Sequence, residues 1–252
     1  MKAFQNVTRT AVLLALVQMA LAQVSLGEEK PTHIFILSGQ SNMAGMDPKV
    51  GFEDEAAKLF PDAEVRYFKV ARGGQPIRLW VEQWDEIAKK HGLAAKNAQT
   101  NYYQPILTQY RELVSEQSNP ASVTFCWMQG ERDARENLSA AYFDALSQLI
   151  ENLRRDLEQP QMSFVIGRLS DFGQETNTQW QAVRKAQVDL ASQDPRGAWV
   201  DCDDLNDKDN NGVKRNDLHY TKQGYELLGR RYVRQAKAII DGKKPAENGR
   251  PE

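Results

Sequence analysis

Ile34–Gly45 reads IFILSGQSNMAG, an apolar run that stops abruptly at a small-residue turn carrying Ser41. The run has the character of a strand covered on both faces. A serine delivered by the C-terminal end of such a strand stands at the sheet edge where α/β proteins keep their ligands. Its hydroxyl is a weak nucleophile until a base takes its proton. The same position suits a serine that merely caps the following helix, so the choice rests on what else reaches that edge.

Working outward, strand-like runs recur at 64–70, 121–127, 162–169 and 197–202, beside HIFIL at 33–37. Helical periodicity appears around 80–91 and at 103–117, 138–158, 177–192 and 221–240. No repeat and no Ser/Gly/Pro-rich linker divides the chain. Five strands with helical crossovers predict a three-layer α/β/α domain on a five-stranded parallel sheet, with strand order left open.

Polar residues of catalytic type follow four of those strands. After the first comes GQSNMAG with Ser41; after the second, ARGGQPI with Gly73 and Gly74. The third leads into MQGERD with Gln129, Glu131 and Asp133, and the fifth into an acidic loop ending NDLHYTKQGY with His219. Parallel strands share one C-terminal edge, so these segments converge there. Acyl transfer then supplies the roles. Ser41 is the candidate nucleophile and His219 the base that accepts its proton and returns one to the leaving alcohol. Of the three histidines, His33 begins a strand and His91 ends a helix, and only His219 lies on the correct edge. Oxyanion donors are expected from the backbone N–H groups of Ser41 and Gly74 and from the Gln129 side chain. Asn42, Glu131 and Trp80 are the candidate substrate contacts, and Trp84, Trp127 and Tyr220 are further aromatics for stacking on sugar rings, set against plain core packing.

The 252-residue chain suits one large domain or two small ones, and its net charge of −2 suggests neither a nucleic-acid nor a membrane-surface partner. Lys2 and Arg9 precede the apolar stretch AVLLALVQMALA, which ends in Ala20-Leu21-Ala22. That pattern describes a secretory signal peptide over residues 1–22, against an uncleaved anchor as the alternative. At about a dozen residues the run is short for a membrane span of roughly 20. Cleavage removes two basic residues and no acid, leaving −4. Residues 23–31 read as a leader, 32–241 as the domain and 242–252 as a loose polar tail. Cys126 and Cys202 fall near the ends of the third and fifth strands. With a strand between them their backbones would lie about 9–10 Å apart, beyond the roughly 7 Å a disulfide spans, which predicts two buried thiols.

Together GQSNMAG, the GG-x-x-I-x-x-W segment (Gly73, Gly74, Ile77, Trp80), QGE at 129–131 and LHYTKQGY resemble the sialate O-acetylesterase-like, carbohydrate esterase family six branch of the SGNH hydrolases. The resemblance covers about residues 32–240. It implies a flavodoxin-like α/β/α esterase that removes acetyl groups from sugars without a cofactor, with Ser41 as nucleophile, Gly74 and Gln129 as oxyanion donors and His219 as base. Gln129 stands where the wider superfamily carries asparagine, a swap typical of this branch. One departure concerns the acid, which the superfamily places three residues before the histidine. Here that residue is Asn216, and the aspartate comes one later, at Asp217. Asp217 in an altered loop, another loop acid such as Asp204, or a Ser–His dyad alone would each complete the site.

Asp207-Lys208-Asp209-Asn210-Asn211-Gly212 begins like a calcium loop, with Asp207, Asp209 and Asn211 as candidate ligands, but position twelve is Leu218 instead of glutamate. A solvated acidic loop is the alternative, and no metal or cofactor is expected. The expectation is a secreted serine esterase acting on acetylated sugars, of the sialic acid or xylan kind or another. A sugar-binding protein with an impaired site and a short-chain lipid or thioester hydrolase are the other classes.

Overall fold

β1 (Thr32–Gly39), β2 (Glu64–Ala71), β3 (Ser122–Met128), β4 (Ser163–Gly167) and β5 (Gly197–Val200) pair in the order β2-β1-β3-β4-β5, every neighbour parallel. The computed structural model describes residues 30–96, 101–115, 119–173, 175–210 and 213–250. The expected strands are all present, within a residue or two of the predicted ends. Residues 1–22, read as a signal peptide, fall outside the described residues. Among those described, no helix is long and apolar enough to cross a membrane.

Alternation along the strands decides which helices cover each face. Phe35 on β1 packs against Phe52 and Phe60 of one helical layer (ring centroids 5.1 and 6.3 Å). That layer holds helices Phe52–Leu59 and Lys222–Ile240. Ser38 and Trp127, level with each other across β1 and β3, point the other way. The indole N–H of Trp80 donates to Ser38 Oγ (3.0 Å), and that of Trp127 donates to the Tyr142 hydroxyl (3.1 Å). On this side lie helices Ser139–Asp156 and Thr178–Gln193. Two covered faces explain why the strands are nearly continuous apolar runs. Cys126 and Cys202 are buried free thiols with β4 between their strands, as expected.

Three short helices escaped prediction: Ser41–Gly45, Phe52–Leu59 and Glu131–Arg135. The first and third are single turns on which a 3.6-residue period cannot show. The acidic loop is also more regular than expected, forming an antiparallel hairpin of β6 (Asp207–Asn210) and β7 (Val213–Asn216).

The tail corrects the reading of a loose segment. Asn248 accepts from the Asp201 N–H (2.7 Å), Gln235 bonds both the carbonyl and the N–H of Ala246, and Arg250 pairs with Asp201 (3.2 Å). Backbone and arginine hydrogen bonds hold residues that composition alone would leave free.

Strand order reverses between β1 and β3, the switch point at which open α/β sheets bind ligands. There the two chains nearly touch. Gly39 has φ +143°, and a Cβ on it would lie 2.0 Å from the Met128 carbonyl oxygen. Replacing Gly39 by Ala is expected to cost about 3 kcal/mol or more, since backbone strain of about 1–3 kcal/mol adds to a clash that only backbone movement relieves. Gly92→Ala, at φ +68° with nothing within 4 Å, is the comparison and should cost about 1 kcal/mol. Chemical denaturation of both variants checks the difference.

Candidate active site

β1 runs out at Gly39, and the Gln40 N–H crosses to the Met128 carbonyl at 2.8 Å. The chain then turns into the helix Ser41–Gly45, with Ser41 as its first residue, at the switch point. Gln40, the N-cap, gives that helix no side-chain cap. Its Oε1 accepts instead from the Arg132 N–H (3.2 Å) and from Gln129 Nε2 (3.3 Å). From the end of β2, Gly73 packs beside Ser41, where an added Cβ would lie 3.5 Å from Ser41 Cβ. Gly74 has φ +70° and nothing within 4 Å of its Cβ position, so its peptide borders open space next to Ser41.

The structure brings the His219 loop to the same place, and Asn42 is the link. Asn42 is 1% exposed. Its Nδ2 donates to the Leu218 carbonyl (3.1 Å) and to Glu131 Oε1 (2.9 Å), while its Oδ1 accepts from the Tyr220 N–H (3.4 Å) and the Tyr225 hydroxyl (3.1 Å). The residue after Ser41 thus holds the backbone on both sides of His219. His219 itself is exposed, and its ring has no hydrogen-bond partner among the described residues. The other histidines are occupied: His33 Nδ1 lies 2.8 Å from Ser122 Oγ, and His91 Nε2 lies 2.9 Å from Asp144 Oδ2.

Asp217 lies beside His219 without meeting its ring. Its Oδ1 accepts from the His219 backbone N–H (3.0 Å) and its Oδ2 lies 3.1 Å from Lys208 Nζ. These contacts, the backbone N–H foremost, hold its carboxyl below the usual carboxylate range. Asn216 bonds Asp171 Oδ1 through its Nδ2 (2.8 Å), and its Oδ1 accepts from Asn206 (2.5 Å). Asp204 is committed elsewhere, with both oxygens on Arg231 (2.8 and 2.6 Å). Asp171, which follows β4, is an acid beside the hairpin that sequence reasoning did not single out. Burial foremost, and the nearby Asp203 charge, raise its carboxyl above the usual range. Extending the strand-end search to the one strand left out of it would have found this residue.

Gln129 reaches the site edge, but its Nε2 faces Gln75 O (3.0 Å), Gln40 Oε1 and Asp133 Oδ2. Burial pushes Glu131 and Asp133 each up to about 7. Three expectations of substrate contact need correction. Trp80 is 0% exposed, stacked on Tyr102 and edge-on to Trp127; Asn42 and Glu131 are buried structural partners. Trp84, Trp127 and Tyr220 are buried as well. These large indoles serve here as core, with the layer of Ser139–Asp156 over them.

The calcium-like segment pairs as Asp207↔Asn216, Lys208↔Arg215 and Asp209↔Lys214. An extended arm does not wrap its oxygens round one ion as a calcium loop does. Asn211 and Gly212 lie outside the described residues, among which no group of three His, Cys, Asp or Glu is placed to hold a metal.

Comparison with known proteins places the chain in a family. The sequence model of a family described as "Carbohydrate esterase, sialic acid-specific acetylesterase" matches residues 44–238, a range that takes in Gly73, Gly74, Gln129 and His219 and opens just past Ser41. A search of curated protein sequences matches no relative. Among solved structures, an Arabidopsis thaliana protein is 20% identical with a TM-score of 0.60, covering 85% of this chain and 100% of that one. A carbohydrate acetylesterase from Xanthomonas citri is 14% identical at TM-score 0.58, covering 84% of this chain and 57% of that one. NanS is 14% identical at TM-score 0.56, covering 84% and 98%. At such identities the likeness is one of fold.

The raised Glu131 carboxyl ties stability to pH in a fixed direction. Folded Glu131 holds its proton up to about pH 7, whereas in the unfolded chain it loses it near the ordinary glutamate value of 4.5. Its favourable contribution is therefore present below about pH 4.5 and is lost as pH rises through about 7. Glu131→Gln keeps an oxygen for Asn42 and removes the titration. The stability of this variant relative to wild type should rise steadily from pH 5 to pH 8 in urea unfolding. A constant difference would show that Glu131 titrates normally.

Proposed function

Given that the chain belongs to the sialic acid-specific acetylesterase family of carbohydrate esterases, we propose that Ser41 and His219 are the nucleophile and base with which it removes O-acetyl groups from a sugar. The observation that carries this reading is the Asn42 side chain, which joins the turn of Ser41 to the backbone on both sides of His219. Ser41 Oγ attacks the acetyl carbon as His219 takes its proton, and the tetrahedral intermediate expels the sugar hydroxyl, which receives that proton. Water, deprotonated by His219, then releases acetate from Ser41 and returns the hydroxyl its proton. The N–H groups of Ser41 and Gly74 are the donors for the oxyanion, supported by Gln129. Asp217 steadies the base by holding its backbone N–H and by its nearby charge. The segment 1–22 is proposed to export the chain.

The sugar itself is identified by acetate release across a panel of acetylated glycans that includes O-acetylated sialic acid and acetylated xylan. Ser41→Ala should reduce p-nitrophenyl acetate hydrolysis to background, and His219→Ala should lower kcat by about a thousandfold. Asp217→Ala should lower it by only about tenfold, because Asp217 holds the main chain of His219 and not its ring. Turnover that survives Ser41→Ala would remove Ser41 from the mechanism. An effect confined to Asn216→Ala, with Asp217→Ala unimpaired, would move the acid's role to Asn216 and Asp171.

A further inference from the structure

The sequence singles out Asp133, two residues beyond Glu131, yet the chemistry proposed above gives it no part. It is fully buried, and no lysine or arginine pairs with it among the described residues. A carboxylate in such a place is costly unless hydrogen bonds satisfy it. Here they do. The Ile77 N–H donates to both oxygens (3.2 and 3.0 Å), and Gln129 Nε2 donates to Oδ2. The same Nε2 donates to the Gln75 carbonyl at 3.0 Å. The two contacts grip the chain on either side of Pro76, directly after Gly74. A third contact of Nε2, to Gln40 Oε1 at 3.3 Å, reaches the residue before Ser41. An amide nitrogen has two hydrogens, and Gln129 directs its own at three acceptors within the protein.

We propose that Asp133 is the positioning residue of the oxyanion site: through Gln129 and Ile77 it fixes the Gly74 turn against the Ser41 turn, so that the two backbone N–H groups are aimed before substrate arrives. This rests on the esterase reading above. Preorganisation of this kind acts on turnover more than on binding, because the donors meet charge only in the transition state. Loss of a carboxylate that merely stapled the fold would lower stability and leave the chemistry of the folded fraction unchanged.

Asp133→Asn tests the link directly. It keeps the shape and an oxygen for Ile77 but turns an NH2 group toward Gln129 Nε2, donor against donor. On p-nitrophenyl acetate kcat should fall about 10- to 100-fold with KM within about twofold, in protein whose circular dichroism matches wild type. The double variant with Gln129→Ala should be no slower than Gln129→Ala alone, because both changes break one network. Asp133→Ser, smaller and free of the donor clash, is the second variant and should show the same fall in kcat. Wild-type turnover by either folded variant, or effects that multiply in the double variant, would overturn the proposal. Ser41→Ala run alongside separates the two readings. Turnover independent of Ser41 sinks the esterase mechanism, whereas Ser41-dependent turnover indifferent to Asp133 sinks only the positioning role.

Discussion

One side-chain amide, that of Asn42, fastens the His219 loop to the Ser41 turn across more than 170 residues of sequence. Its four contacts use both hydrogens and both acceptor sites of the group, so none is available to substrate. The contact is possible because the sheet order places the ends of β1 and β3 together and because Gly39 lets those ends nearly touch. Close approach of the backbone comes first. The amide then fixes the loop that arrives last in the chain.

That loop needs support from its far side, and arginines supply it. Arg184 grips Asp203 with two nitrogens (2.7 and 3.0 Å), and Arg168 reaches both Asp201 and Asp203 (2.8 and 2.7 Å). Arg231, 3% exposed, holds both oxygens of Asp204. Arg231 is buried while Asp204 is exposed, so water screens part of each charge and the pair holds the loop more by geometry than by a large energy. The acids after β5 thus anchor the base of the hairpin, with the tail added through Arg250. Asp201, Asp203 and Asp204 are ion-paired struts, and the calcium-like run begins only after them, at Asp207.

The architecture was legible because periodicity and strand-end composition are local signals that the sheet then brings together. HIFIL, VTFCW and FVIG are buried on both faces, and runs of that kind have few other solutions in a chain of this size. The placement of Ser41, Gly74 and the His219 loop was legible for the same reason, since each follows a strand and shares its edge. Trp80 was not. Whether an indole at a strand end faces solvent or core depends on which helix lies over it, and nothing local in GG-x-x-I-x-x-W records the layer that covers it. Asp217 and Asp171 were hard for a different reason. Spacing from the histidine gives a carboxylate's place in the chain, whereas the hairpin register decides which residue turns toward which. Pairing Asp207 with Asn216 leaves Asn216 to Asp171 and sends Asp217 back to its own loop.

On the proposed mechanism, these contacts bear on how His219 would serve as base without a carboxylate on its ring. In the usual triad the acid fixes the imidazole's tautomer and stabilises its charged form. In the proposed mechanism the backbone instead fixes where the ring stands, a task distinct from setting its tautomer. With Leu218 O and the Tyr220 N–H held by Asn42, and its own N–H held by Asp217, His219 has little freedom left in its main chain. The second task is left to solvent and to the charge of Asp217, because the ring is exposed to water of high dielectric. An exposed imidazolium gains less from a carboxylate than a buried one would, since water already stabilises it. Exposure of His219 and the absence of an acid three residues before it are therefore compatible features: a ring that meets water tolerates Asn216 where a buried ring would need aspartate.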